Sequence, residues 1–167
     1  MRADPIVSWE AISMRWASLL LTLTVFAVTT GSAPASAVEW RRFVIPQTGA
    51  SVDIPISIFS EAGEQPKGGV GRAFVTADRR ADLTVQSIRT DDSPAVFLAK
   101  RNPPRGIEYK RVTPKFFAVS SVRGDRTWYN RCNKSGAYLN CVLINYPRAE
   151  ERQWDNVVTR ISLTLSK

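Results

Sequence analysis

The N-terminal segment of this chain determines how many residues are left to fold. Arg15 carries a positive charge, residues 16–29 follow as an uncharged and mostly apolar run, and a small-residue segment ends at Ala35-Ser36-Ala37. This order is typical of a secretory signal peptide that is cleaved after Ala37. The apolar run is shorter than the roughly 20 residues that cross a membrane, so an uncleaved membrane anchor is the less favoured alternative.

A signal peptide at residues 1–37 leaves residues 38–167 as a single domain. The thirteen residues before Met14 are unusual for a leader, so Met14 is an alternative start of the protein. Removing 37 of the 167 residues leaves 130, which is enough for one domain with its own apolar core. We therefore expect a periplasmic or secreted protein with no transmembrane helix in the mature chain.

The two cysteines of the chain, Cys132 and Cys141, lie on either side of the turn residues 133–136. A tight turn centred on Gly136 and Ala137 would place the cysteines directly opposite each other in a β-hairpin. Disulfides persist in exported proteins, and bridging so short a loop stabilises by about 2–3 kcal/mol on the chain-entropy estimate. Because the chain has no histidine and no second cysteine pair, the sequence predicts a structural disulfide, no metal site and no cofactor.

Short alternating apolar and polar runs, separated by turn residues, predict β-hairpins over most of the mature chain. Ser93-Pro94 predicts the start of a short helix, since the hydroxyl caps the helix and proline suits its first turn. Apolar residues near the C-terminus recur at the three- and four-residue spacing of an amphipathic helix: Trp154, Val157, Val158, Ile161 and Leu165. The sequence predicts an α+β fold, with an antiparallel β-sheet of six to eight short strands flanked by a short helix and a long C-terminal helix.

The glycine-rich segment Gly68-Gly69-Val70-Gly71 has two interpretations. A phosphate-binding loop lies between a strand and the helix that follows it, and it uses the N-terminus of that helix to hold the anion. Here a strand is predicted to follow, and the lysine of a P-loop is absent. We therefore interpret the segment as a turn.

The mature chain keeps the net charge of +8, because the leader removes two basic and two acidic residues. Arginine predominates among its basic residues, and the planar guanidinium group binds carboxylates and phosphates. The densest basic region with interleaved aromatic residues spans residues 101–134. Eight of its residues are candidates for an anion-binding or partner-binding surface: Arg101, Arg105, Lys110, Arg111, Arg123, Arg126, Arg131 and Lys134. If the strands at residues 107–112 and 127–132 lie in one sheet, some of these side chains share a face; scattered solvated charges are the alternative.

A basic exported protein favours an anionic envelope polymer, a lipid headgroup or an acidic protein as its partner, and export disfavours nucleic acid. The absence of histidine excludes the usual Ser-His-Asp and Cys-His catalytic arrangements. An envelope hydrolase with paired carboxylates remains an alternative, and so does an inhibitor or structural partner of another exported protein. We favour a non-catalytic binding or accessory domain over an enzyme.

The order of four segments resembles that of the PsbP-like superfamily: WRRFVIPQTGASVDIPISIF, GRAFVTADRRADLTV, YKRVTPKFFAVSSVRGDRTWYNRC and RQWDNVVTRISLTL. The chain is also similar to uncharacterised exported bacterial proteins that have the same Phe-Phe strand, cysteine pair and Trp-containing final helix. The resemblance covers nearly all of residues 40–165. It implies an antiparallel sheet flanked by helices and a binding or accessory role without chemistry, and it provides no active-site residue to transfer.

Overall fold

The computed structural model describes residues 37–101 and 106–167. Except for Ala37, the predicted signal peptide lies outside the described residues, and so does the alternative start at Met14. The assignment of residues 38–167 to a single domain therefore stays a prediction. Within the described part of the chain, no helix has the length and apolar character needed to cross a membrane.

The described residues form nine strands and two α-helices. Strands β1 (Trp40–Val44) and β2 (Ser51–Pro55) pair as an antiparallel hairpin in a sheet of their own. The other seven strands are β3 (Glu61–Ala62), β4 (Val70–Val75), β5 (Asp82–Arg89), β6 (Ile107–Val112), β7 (Phe116–Arg123), β8 (Arg126–Ser135) and β9 (Tyr138–Pro147). They form one antiparallel sheet in the order β3-β4-β5-β9-β8-β7-β6. The helices are α1 (Pro94–Lys100) and α2 (Glu151–Thr164).

This architecture confirms the predicted α+β fold, with an antiparallel sheet, a short helix and a long C-terminal helix. The sequence did not predict β3, the two-residue strand between β2 and β4. Its two residues are too few to show an alternating pattern, and they pair only with the edge of β4.

The seven-stranded sheet has an apolar cluster on each face, because successive side chains of a strand point to opposite sides. On one face, α2 and the β1–β2 hairpin cover β5 and β9, with Trp154 and Ile161 among the buried residues. On the other face, Phe97 and Leu98 of α1 pack near Phe117. We call these the α2 face and the α1 face.

The start of α1 follows local capping chemistry, whereas α2 begins without a side-chain cap. The Oγ of Ser93 accepts a hydrogen bond from the backbone N–H of Val96 (3.3 Å), and Pro94 occupies the first turn of α1. Helix α2 ends before Leu165, which takes an extended conformation. Leu165 still contributes to the α2-face cluster, so its place in the predicted apolar stripe reflects burial beyond the end of the helix.

Two buried threonines differ in the bonding of their hydroxyl groups. Among the described residues, Oγ1 of the fully buried Thr127 has no hydrogen-bond partner. Oγ1 of Thr76 donates to Asp78 (2.6 Å) and accepts from the backbone N–H of Ala81 (3.0 Å). We expect Thr127→Val to leave the free energy of unfolding unchanged or to raise it by up to about 1 kcal/mol, and Thr76→Val to lower it by about 1–3 kcal/mol. Urea denaturation measures both changes, and equal losses in the two variants would contradict this prediction.

Candidate anion-binding site

Strands β6, β7 and β8 are neighbours in the sheet, but side-chain alternation divides the candidate basic residues between its two faces. Arg111 and Arg131 share the α2 face, because each is paired with Ala118 of β7, from opposite sides. Four candidates occupy the alternate positions, toward the α1 face: Lys110, Arg123, Arg126 and Lys134. Arg101 directly follows α1, and Arg105 lies outside the described residues.

Two basic residues of the α1 face are already bonded to neighbouring protein groups. Nε of Arg126 donates to Oδ1 of Asn145 (2.9 Å), and Nδ2 of Asn145 donates to Oδ2 of Asp82 (3.0 Å). Burial raises the pKa of the Asp82 carboxyl, while this hydrogen bond and the Arg126 charge act in the opposite direction. Nζ of Lys134 donates to the backbone oxygen of Thr90 (2.5 Å). The α1 face therefore presents dispersed and partly engaged charges.

On the α2 face, strands β6 to β8 and helix α2 enclose an open depression of about 290 Å³, which we call the arginine trough. Its sheet side is formed by Tyr109, Arg111, Phe116, Ala118, Tyr129 and Arg131. Its helix side is formed by Val158, Thr159, Ser162 and Leu163. None of these lining residues is acidic.

Strand pairing explains the shape of the arginine trough. Ala118 lies between Arg111 and Arg131 in one row across the three strands. The next row has the same form: Tyr109, Ser120 and Tyr129. In these two rows, a small side chain of β7 lies between long side chains of β6 and β8. This difference in size leaves the space of the depression above β7.

Phe116 contacts both arginines of the trough. The Cζ atoms of Arg111 and Arg131 lie 5.4 and 4.8 Å from the centroid of its ring. Arg131 also donates from Nε to Oδ1 of Asn133 (3.1 Å) and from Nη1 to Oγ of Ser162 (3.3 Å). Cation–π contacts and neutral hydrogen-bond acceptors orient a guanidinium group without cancelling its charge. The two arginines are therefore positioned and remain cationic.

Tyr129 adds a neutral hydroxyl group beside these charges. Its Oη lies 2.6 Å from Oγ of Ser162. Burial raises the pKa of Tyr129, although the Ser162 hydrogen bond and the Arg131 charge lower it in part. The phenol is therefore protonated at neutral pH, and its hydroxyl group is engaged in the hydrogen bond with Ser162.

None of the described candidate residues forms an ion pair with a carboxylate. All eight ion pairs found in the described part of the chain use other basic residues, namely Arg41, Arg42, Arg79, Arg80, Lys100, Arg148 and Arg160. Nearby carboxylates therefore do not neutralise Arg111 and Arg131, which lie in the same depression. The positive potential of the arginine trough is available to an external anion.

The hydrolase alternative requires a pair of carboxyl groups that can exchange protons across a substrate. Three carboxylates, those of Glu150, Glu151 and Asp155, line a shallow depression at the start of α2 together with two arginines. One oxygen of Glu150 forms an ion pair with Arg80, and the other accepts a hydrogen bond from Nε1 of Trp154 (3.3 Å). These contacts favour a structural role for Glu150.

Cys132 and Cys141 are directly paired across β8 and β9, and a disulfide with an S–S distance of 2.04 Å joins them. The turn between these strands contains Gly136, which has a φ of +55°. The disulfide belongs to the apolar cluster of the α1 face, so it lies on the opposite side of the sheet from the arginine trough.

Sequence reasoning did not include Phe116, Tyr129 or Ser162 among the candidate site residues. One signal for part of the site is present in the sequence, because the pattern Tyr-x-Arg occurs at residues 109–111 and again at 129–131. Residues two apart in a strand share a face, so each tripeptide supplies one tyrosine and one arginine to the same surface. Ser162 comes from a distant helix, and no local pattern associates it with these strands.

The structure is similar to the solution structure of cyanobacterial PsbP (CyanoP) from Synechocystis, with a TM-score of 0.55 and 8% sequence identity. The match covers 80% of this chain and 95% of that chain. At this identity the likeness shows the fold alone, and it supports the PsbP-like resemblance at that level. No protein-family model matches the sequence, and no curated protein matches it.

Proposed function

We propose that residues 38–167 form an exported, non-catalytic binding domain that holds an anionic partner in the arginine trough. The observation that carries the proposal is the pair Arg111 and Arg131, which lie on either side of Ala118 in a depression without acidic lining residues. Neighbouring strands lie about 4.8 Å apart, so about 10 Å separates the two Cα atoms. Both side chains contact the Phe116 ring, and this proximity supports the binding of carboxylate or phosphate oxygens of one partner by the two guanidinium groups.

The rim of the trough favours an anionic envelope polymer as the partner. Tyr109 is 49% exposed and Leu163 is 70% exposed, so apolar surface lies beside the two charges. A polymer of acidic sugars has both features that this surface recognises, namely carboxylate or phosphate groups and ring faces that stack on tyrosine. The phosphatidylglycerol headgroup and acidic side chains offer the anionic groups without a sugar ring face.

Salt dependence provides the first test of this proposal. We expect the protein to bind envelope fractions at low ionic strength and to lose at least about tenfold in affinity at roughly 1 M salt, where the Debye length falls to about 3 Å. Parallel measurements with polygalacturonate, phosphatidylglycerol vesicles and polyglutamate distinguish the polymer, lipid and protein sources. Absent or salt-insensitive binding would contradict the proposal, and capture of one stoichiometric protein would favour the inhibitor or structural-partner alternative.

A further inference from the structure

Trp128 is an exposed tryptophan on the α1 face of the sheet. It is 38% exposed, and it lies on the same side of β8 as Cys132, which is four residues farther along the strand. Helix α1 packs near Cys132, so the part of the sheet that it covers is about 13 Å from Trp128 along β8. The indole ring of Trp128 is therefore open to a ligand.

Strand register places three polar side chains beside Trp128 on the same face. Asn145 of β9 is paired with Trp128, and Asp82 of β5 is paired with Asn145 on its other side. Arg126 precedes Trp128 by two residues on β8, so both side chains point the same way. Asn145 joins the other two groups, because it accepts a hydrogen bond from Nε of Arg126 (2.9 Å) and donates one to Oδ2 of Asp82 (3.0 Å).

These hydrogen bonds leave one acceptor and two donor groups unused. Oδ1 of Asp82 and both Nη groups of Arg126 form no hydrogen bond or ion pair with the described residues. The buried polar atoms that lack a partner in the described chain all belong to other residues, so these groups of Asp82 and Arg126 are accessible from solvent. Asn145 therefore fixes an accessible acceptor and an accessible donor next to an exposed indole ring.

The charges of this cluster determine which kind of group it suits. A carboxylate beside a guanidinium group disfavours a free anion and a free cation alike, and it favours a neutral group that donates to Asp82 and accepts from Arg126. A hydroxyl group does both. A sugar ring carries hydroxyl groups around its edge and C–H groups on its faces, and such a face packs against an aromatic ring.

We propose that Trp128, Asp82 and Arg126 bind one ring of a neutral saccharide. The ring face stacks on Trp128, and hydroxyl groups at its edge donate to Oδ1 of Asp82 and accept from the Nη groups of Arg126. Asn145 is a positioning residue, because it orients both polar groups. The site lies on the opposite face from the arginine trough and does not depend on the proposed function.

Cellotetraose is a suitable probe, because its glucose rings are uncharged, with hydroxyl groups at the edge and C–H groups on both faces. In an NMR titration of the protein as its expression host processes it, we expect saturable shifts at residues around Trp128. A dissociation constant on the order of 1 mM is typical of a ligand that uses about one sugar ring. Sorbitol has similar hydroxyl groups but no ring, and it should bind at least about tenfold more weakly.

Salt distinguishes this site from the arginine trough. The affinity for uncharged cellotetraose should change by less than about twofold between low ionic strength and roughly 1 M salt. Binding in the arginine trough is expected to fall with salt, so either proposal can fail without the other. A cellotetraose affinity that falls tenfold with salt would contradict the saccharide site.

Trp128→Ala removes the stacking surface, and Asp82→Asn removes the charged acceptor with little change in volume. Each variant should weaken cellotetraose binding about tenfold. Asp91→Asn is the matched control, since Asp91 is exposed beyond the opposite end of β5, and it should leave the affinity unchanged. Absent saturable shifts, equal affinity for sorbitol, or full affinity in both site variants would overturn the proposal. If Asp82→Asn does not fold, Trp128→Ala and the sorbitol comparison still decide the outcome.

Discussion

Reversal of both charges in the arginine trough, in the variant Arg111→Glu/Arg131→Glu, is expected to weaken binding to an anionic envelope polymer by about 100-fold or more. A hydrogen bond to a charged group contributes about 1.5–3 kcal/mol, and about 1.4 kcal/mol corresponds to a tenfold change in affinity. Loss of two such contacts therefore accounts for about 100-fold before any repulsion between the new carboxylates and the partner. Co-sedimentation with polygalacturonate at low ionic strength measures the change.

The opposite face of the sheet provides a matched control for this variant. Lys110→Glu/Arg123→Glu also changes the net charge from +8 to +4, but both substitutions lie at exposed positions away from the trough. We expect this control to lose less than about tenfold, because only the long-range field of the protein is reduced. Equal losses in the two variants would show that net charge, and not the trough, determines binding. Arg131 bonds to Asn133 and Ser162, so thermal unfolding of each variant separates a loss of binding from a loss of fold.

The face on which each basic residue lies was the part of the site that the sequence could not predict. A regular strand would carry Tyr109 and Arg111 on the same side as Ile107. The pairing of β6 with β7 shifts register between Ile107 and Tyr109, as in a β-bulge, and the residues that follow move to the α2 face. A register shift of one residue exchanges the two faces of a strand. No residue type in β6 indicates that the shift occurs there.

Local chemistry explains why much of the fold could be predicted. The serine cap and proline at the start of α1, and the turn residues between the cysteines, act within a few positions of where they occur in the chain. The apolar spacing of α2 likewise reports which of its sides is buried. The arginine trough instead depends on the pairing of three strands and on the position where a distant helix packs, which are properties of the assembled sheet.

Gly71→Ala is expected to lower the free energy of unfolding by at least about 3 kcal/mol. Gly71 lies in β4 with a φ of +152°, and a Cβ atom there would overlap the carbonyl oxygen of Val85 and lie 2.7 Å from Cα of Gln86. Both atoms belong to the backbone of β5, which is paired with β4 on one side and β9 on the other. The clash therefore cannot be relieved by a side-chain rotation, and it disrupts strand pairing inside the sheet. Urea denaturation measures the loss, which is a large part of the 5–15 kcal/mol typical of a domain.

Gly68→Ala is the control, because Gly68 also has a positive φ, of +81°, but an added Cβ would meet no atom within 4 Å. Its expected cost is the conformational one alone, about 1–2 kcal/mol. A difference between the two variants of less than about 1 kcal/mol would show that β4 moves away from β5 at little cost.

The comparison also tests the interpretation of residues 68–71 as a turn that leads into a strand. If the segment is a turn, both substitutions lower the free energy of unfolding and neither changes the affinity of the protein for phosphate. The reason is that a strand, and not the N-terminus of a helix, follows the segment.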